Sequence, residues 1–99
     1  MPCYCYMVEC IDGTFYTGWT TDPDKRVKAH NAGSGARYTR LRRPVKLVYV
    51  EPQPDRNSAM KRERAIKLMT RQKKQELIRK NQNPGTSDSD QIPLISKQR

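Results

Sequence analysis

Residues 3–19 read Cys3-Tyr4-Cys5-Tyr6-Met7-Val8-Glu9-Cys10-Ile11-Asp12-Gly13-Thr14-Phe15-Tyr16-Thr17-Gly18-Trp19. Aromatic and apolar residues dominate 3–10, which is the composition of a β-strand. Asp12-Gly13 separates that run from a second β-prone run at 14–19. Asp-Gly between two such runs is the strongest short-range hairpin signal, because a type I′ turn needs positive φ. The chain is therefore expected to open with an antiparallel hairpin, strands about 3–10 and 14–19.

Downstream of the hairpin, Asp22-Pro23 predicts a helix start. The Asp22 carboxylate can cap free amides, and Pro23 at the first helical position has no amide to lose. This helix is expected to reach about Asn31, with Gly33 ending it. A Gly-rich basic loop, 33–44, leads to a short third strand from Val45 to Val50, which Pro52 and Pro54 are expected to end. Asp55 or Ser58 starts a second helix, and Thr70 is a plausible cap for a third near 71–80. The predicted order is ββαβαα. The fold class is α/β of the α+β kind, a small three-stranded, mostly antiparallel sheet packed with helices. The domain is expected to cover 1–80. Residues 81–99, rich in Asn, Gln, Ser, Asp, Pro and Gly, are expected to form a disordered polar tail.

Charge narrows the class of partner. Among 99 residues, 20 Lys+Arg stand against 10 Asp+Glu, for a net charge of +10. Residues 1–24 carry four acids and no base, and 25–80 carry 18 bases and four acids. Such a basic body concentrates polyanions, and nucleic acid is the expected partner. The three cysteines, Cys3, Cys5 and Cys10, are odd in number and sit within eight residues. With a single histidine elsewhere, this suits neither a disulfide scaffold nor a zinc site. They read as reduced, buried thiols. No leader-like or membrane-spanning run is present, so a cytoplasmic, unanchored protein is expected.

Several residues stand out for chemistry. Tyr6 and Tyr16 fall near one another across the hairpin, on one face. Arg26 and His30, four apart, share a helix face. Glu63 lies among Lys61, Arg62, Arg64 and Lys67. Two readings of it stand: a charge-balancing partner, or a metal ligand in a phosphate-binding surface. Tyr38, with Arg37, Arg40, Arg42 and Arg43, is either a stacking and phosphate-contacting surface or, for the tyrosine, a lid on the small core.

Taken in order, Tyr4-Cys5-Tyr6, Tyr16-Thr17-Gly18, Arg26, His30 and Glu63 resemble the GIY-YIG nuclease superfamily. The second motif matches well; the first matches only at its tyrosine. Gly35-Ala36-Arg37-Tyr38-Thr39-Arg40, Arg43-Pro44 and Ala65-Ile66-Lys67 resemble the small stand-alone members. The resemblance implies a metal-dependent endonuclease acting on nucleic acid, DNA before RNA, in repair or recombination. It implies one Mg2+ or Mn2+ held by Glu63, and a phosphate clamp in Arg26. Tyr6 would be the base that takes a proton from water, with His30 sharing or relaying it. Tyr16 would orient water or phosphate, and Gly18 would permit close approach. The alternative is a non-catalytic nucleic-acid-binding module on the same fold. A protein partner that supplies specificity is a third expectation.

Overall fold

The computed structural model describes residues 2–82; of the expected tail, 81–99, Asn81 and Gln82 belong to the last helix instead, and the rest lies outside the described residues. They fall in two units that meet between Met69 and Thr70, and each is taken by itself.

In the first unit, β1 (Cys3–Glu9) and β2 (Phe15–Thr20) form the expected antiparallel hairpin. Its loop is longer by one residue than the two-residue turn expected. Cys10 N–H donates to Thr14 O at 2.8 Å, and Gly13 N–H to Cys10 O at 2.9 Å, enclosing Ile11, Asp12 and Gly13. The Asp12 carboxylate supplies the reason. It accepts from the Thr14 amide at 3.1 Å and the Thr14 hydroxyl at 2.6 Å, which closes the loop with a side chain. Gly13 takes the left-handed conformation, φ +85°.

β1 lies at the centre of the sheet, in the order β2-β1-β3, and pairs antiparallel with β3 (Lys46–Gln53) on its other side. β3 runs past the expected end at Val50 and includes Pro52, opposite Tyr4. An edge strand tolerates proline because one of its sides has no ladder to interrupt.

Side-chain alternation divides β1 between two faces. Tyr6, Val8 and Cys10 form one buried cluster with Val45, against which Tyr16, Val27 and Leu47 pack. Val27 belongs to α1 (Pro23–Ala32), which covers this face. Cys5 and Met7 point the other way, and the Cys5 thiol donates to Ala59 O at 3.1 Å in α3 (Arg56–Lys67). Full burial of a side chain such as Met7, 0% exposed, contributes about 1.5–3 kcal/mol. Arg62 of α3 also reaches Glu51 of β3 at 2.8 Å, and Tyr49 donates its hydroxyl to the same carboxylate. Burial and Glu51 push the Tyr49 hydroxyl up to about 12.

Asp22 caps α1 as expected, accepting from Lys25 N at 3.1 Å, and of the two expected starts Asp55 caps α3, accepting from Ser58 N at 2.8 Å. Gly33, φ +91°, ends α1 as expected. Part of the expected basic loop is instead a short helix, α2 (Arg37–Arg40). The order is thus ββαβαα with one extra turn of helix before β3. All three cysteines are buried and unbridged. Burial, followed by Glu51 and Glu63, pushes the Cys5 thiol up to about 11, as befits an unreactive packing residue. In the second unit, α4 (Arg71–Gln82) starts at Thr70, whose hydroxyl accepts from Lys73 N at 3.2 Å.

Candidate active site

The hairpin register sets Tyr6 opposite Gly18 and Val8 opposite Tyr16. Tyr6 and Tyr16 are therefore diagonal neighbours on one face, as expected. A Cβ at Gly18 would stand 2.6 Å from the Tyr6 hydroxyl oxygen, so the phenol occupies the space that glycine leaves open.

α1 delivers His30 to the same place from its last turn. His30 is 0% exposed, and its Nε2 lies 2.8 Å from the Tyr6 hydroxyl. Its Nδ1 lies 2.8 Å from Thr39 Oγ1 in α2. Gly35 makes this packing possible, since a Cβ there would collide with His30 Nδ1. Burial, then the positive field of Arg26, holds His30 below its ordinary 6.5. Burial and Tyr16 push the Tyr6 phenol up, with Arg26 opposing and Glu63 reinforcing. The fields of both Arg26 and Glu63 thus reach the Tyr6 hydroxyl.

Tyr16 is the hub of an aromatic group. Its ring meets His30 edge-on, centroids 5.3 Å apart, and stacks with Tyr38 at 5.9 Å. The Arg42 guanidinium lies 3.9 Å above the Tyr38 ring. The Lys67 ammonium is 5.9 Å from the Tyr16 ring centroid and 3.3 Å from the Glu63 carboxylate. Glu63 is half-buried, one turn after Ala59 on the helix face that carries Ala59 and Ile66 to the core.

Of the five candidates named from sequence, three meet directly. Tyr6, Tyr16 and His30 touch, Glu63 joins through Lys67, and Arg26 acts on the pair through its field. The arginines of the 37–43 segment divide. Arg42 pairs with Asp12 at 3.1 Å and donates to Tyr38 O. Arg43 donates to Arg40 O at 2.8 Å and Asn31 O at 3.4 Å. Both serve the fold of their own loop; Arg37, Arg40 and Arg43 are exposed, and Arg42 is half-buried. Tyr38 stacks on Tyr16, which packs against the core, and is 37% exposed.

Thr39, Gly35, Asn31 and Lys67 were not legible as site residues. The Asn31 side chain binds the Val45 backbone on both sides, at 2.7 and 3.0 Å, and so ties α1 to the strand that follows the loop. Gly35 and Thr39 did lie inside the run that resembles the stand-alone members, which was the one signal available for them.

The GIY-YIG catalytic domain matches residues 2–76, and the chain belongs to the GIY-YIG family, whose members are generally nucleases. Within that family it is similar to small UPF0213 proteins. One from Haloquadratum walsbyi is 55% identical over 74 residues, 75% of this chain and 83% of that relative. One from Streptococcus agalactiae is 48% identical over 83 residues, 84% of this chain and 94% of that relative. The solution structure of a UPF0213 protein from Bacillus halodurans has a TM-score of 0.55 at 44% identity, covering 85% of this chain and 89% of that one. No helix among the described residues is long and apolar enough to cross a membrane.

Proposed function

We propose that this chain is a metal-dependent endonuclease that hydrolyses phosphodiester bonds in DNA. The observation that carries the reading is the buried Tyr6–His30 hydrogen bond, set within the fields of Arg26 and Glu63. Phosphodiester hydrolysis needs a base for water and positive charge for the phosphate oxygens. A phenol pushed up by burial does not ionise at neutral pH, so Tyr6 acts as a relay that takes the water proton while giving up its own. His30, held below 6.5 and so neutral at pH 7, accepts it. Arg26 clamps the phosphate through its permanently charged guanidinium. Tyr16 orients water or phosphate with its hydroxyl.

Glu63 fits a hydrated divalent ion. Its half-buried carboxylate would take the ion by giving up the Lys67 ammonium, now at 3.3 Å. Among the described residues no group of three or more His, Cys, Asp or Glu is placed to hold a metal; Mg2+ takes one or two carboxylates and keeps several waters. When bound, Mg2+ or Mn2+ would supply charge for the leaving oxygen.

One observation favours the second reading, a nucleic-acid-binding module without catalysis. Lys67 neutralises Glu63, as a structural ion pair would. A panel of linear, flapped and branched DNA, with and without Mg2+ or Mn2+, separates the two. Cleavage is expected with metal, and Arg26→Ala or Glu63→Ala should lower it by about 10²–10³-fold while leaving the fold intact. Undiminished activity in Glu63→Ala would overturn the metal role, and salt-sensitive binding without cleavage would establish the binding module.

A further inference from the structure

We propose that Thr39 is a positioning residue. Its hydroxyl accepts the Nδ1 proton of His30 and thereby holds Nε2 open to receive the proton of Tyr6.

The proposal rests on the nuclease reading for its catalytic consequence, but its structural part follows from counting protons. Thr39 Oγ1 lies 2.8 Å from His30 Nδ1 and 3.1 Å from the Ala36 carbonyl oxygen. A carbonyl only accepts, and a hydroxyl has one proton to give. The Ala36 carbonyl accepts from the Arg40 amide at 3.2 Å as well; with the Thr39 proton also on that carbonyl, Thr39 accepts toward His30, and the proton on that bond belongs to Nδ1. A neutral imidazole carries one N–H, so Nε2 is left with its lone pair. The 2.8 Å bond to Tyr6 therefore runs from the phenol to the imidazole. The chain of donation is Tyr6 to His30, His30 to Thr39, and Thr39 to the backbone at the start of α2.

Burial makes this arrangement binding. Thr39 and His30 are each 0% exposed, and Tyr6 2%. Reversing the whole chain would leave the Ala36 carbonyl to the Arg40 amide alone and would take from the buried Tyr6 hydroxyl proton the acceptor that Nε2 gives it. The direction is also the one the reaction needs. As water gives a proton to the Tyr6 oxygen, the existing Tyr6 O–H breaks and an N–H forms at Nε2. The product is hydroxide and an imidazolium still bonded to Thr39. With the other tautomer, Nε2 would carry a proton and nothing could leave Tyr6. Gly35 belongs to the same device, since any side chain there would displace His30 from Thr39.

The chain holds one histidine, so its imidazole nitrogens are identified without ambiguity in a long-range proton–nitrogen NMR spectrum of the whole, nitrogen-labelled protein. The expected spectrum at pH 7.5 shows a protonated Nδ1 and an unprotonated Nε2. In Thr39→Val the proton should move to Nε2, and cleavage should fall about 100-fold, with DNA affinity unchanged. Thr39→Ser should restore both tautomer and rate. A proton on Nε2 in the unaltered protein overturns the proposal with no variant needed. So does a Thr39→Val protein that keeps the Nδ1 proton and its rate, or a folded Thr39→Ser protein that recovers neither. If the unaltered protein cuts no substrate, the nuclease reading fails, and the spectrum still decides the role of Thr39.

Discussion

At the scale of single residues, His30 links the candidate chemistry to stability. Its imidazole is fully buried and held below 6.5, first by burial and then by Arg26. The unfolded chain takes up a proton at this residue below about pH 6.5, where the folded chain resists doing so. The stabilising contribution is therefore complete above pH 6.5 and is lost as the pH falls through the lower folded value. The melting temperature should drop between pH 7 and pH 5, and drop less in His30→Gln, which cannot titrate. Equal pH slopes in the two proteins would overturn this. His30 itself was legible only through the ordered set that resembles the GIY-YIG family; its place four residues after Arg26 puts the two on one helix face and no more. Its burial and its anchor were not. Thr39 follows nine residues later, past Gly33 and Gly35, and local periodicity says nothing across such a break. Only the placement of α2 reveals what stands behind the histidine.

At the scale of elements, the helix that carries Arg26 and His30 is aimed by its first residues. Asp22 accepts from Lys25 N at 3.1 Å, and its own amide donates to Thr20 Oγ1 at 3.1 Å, fastening the helix start to the end of β2. Asp22→Ala removes the cap at a cost of about 1 kcal/mol. For a domain of this size that lowers the melting temperature by roughly 4–8 °C. Asp22→Asn, which still offers an oxygen, should lose much less; equal losses would show that the charge rather than the cap matters. Signals of this local kind explain why the hairpin, the caps at Asp22, Asp55 and Thr70, and the helix end at Gly33 could be read from sequence. The discrepancies lie where the cause is not local. α2 is four residues long with no side-chain cap at Ala36, so it carries no propensity signal of its own. β3 passes through Pro52 because it is an edge strand, a property of the sheet order and invisible in the segment itself. The extra loop residue after Cys10 follows from the Asp12 carboxylate taking over part of the turn's hydrogen bonding.

At the scale of the whole molecule, the net charge of +10 bears on affinity, and the structure sorts which cations are available for it. Arg42 is tied to Asp12, and Arg43 to the carbonyls of Arg40 and Asn31, so neither is spare for phosphate without loosening its loop. Arg37 and Arg40 are exposed on α2, beside Tyr38, which stacks with Tyr16. With Arg26, to which the phosphate clamp is assigned, they make a set of three guanidinium groups for phosphate. Three phosphate contacts predict that the logarithm of the DNA association constant falls against the logarithm of salt with a slope of about −3. Arg37→Ala and Arg40→Ala should each flatten it by about one unit. Arg42→Ala should act differently, lowering the melting temperature through the lost Asp12 pair and Tyr38 stack while leaving the slope nearly unchanged. Titrations of labelled duplex at several salt concentrations check all three. A slope near zero would remove nucleic acid as the partner of this surface, and a flattened slope in Arg42→Ala alone would move the contact from the exposed face of α2 to the loop that follows it.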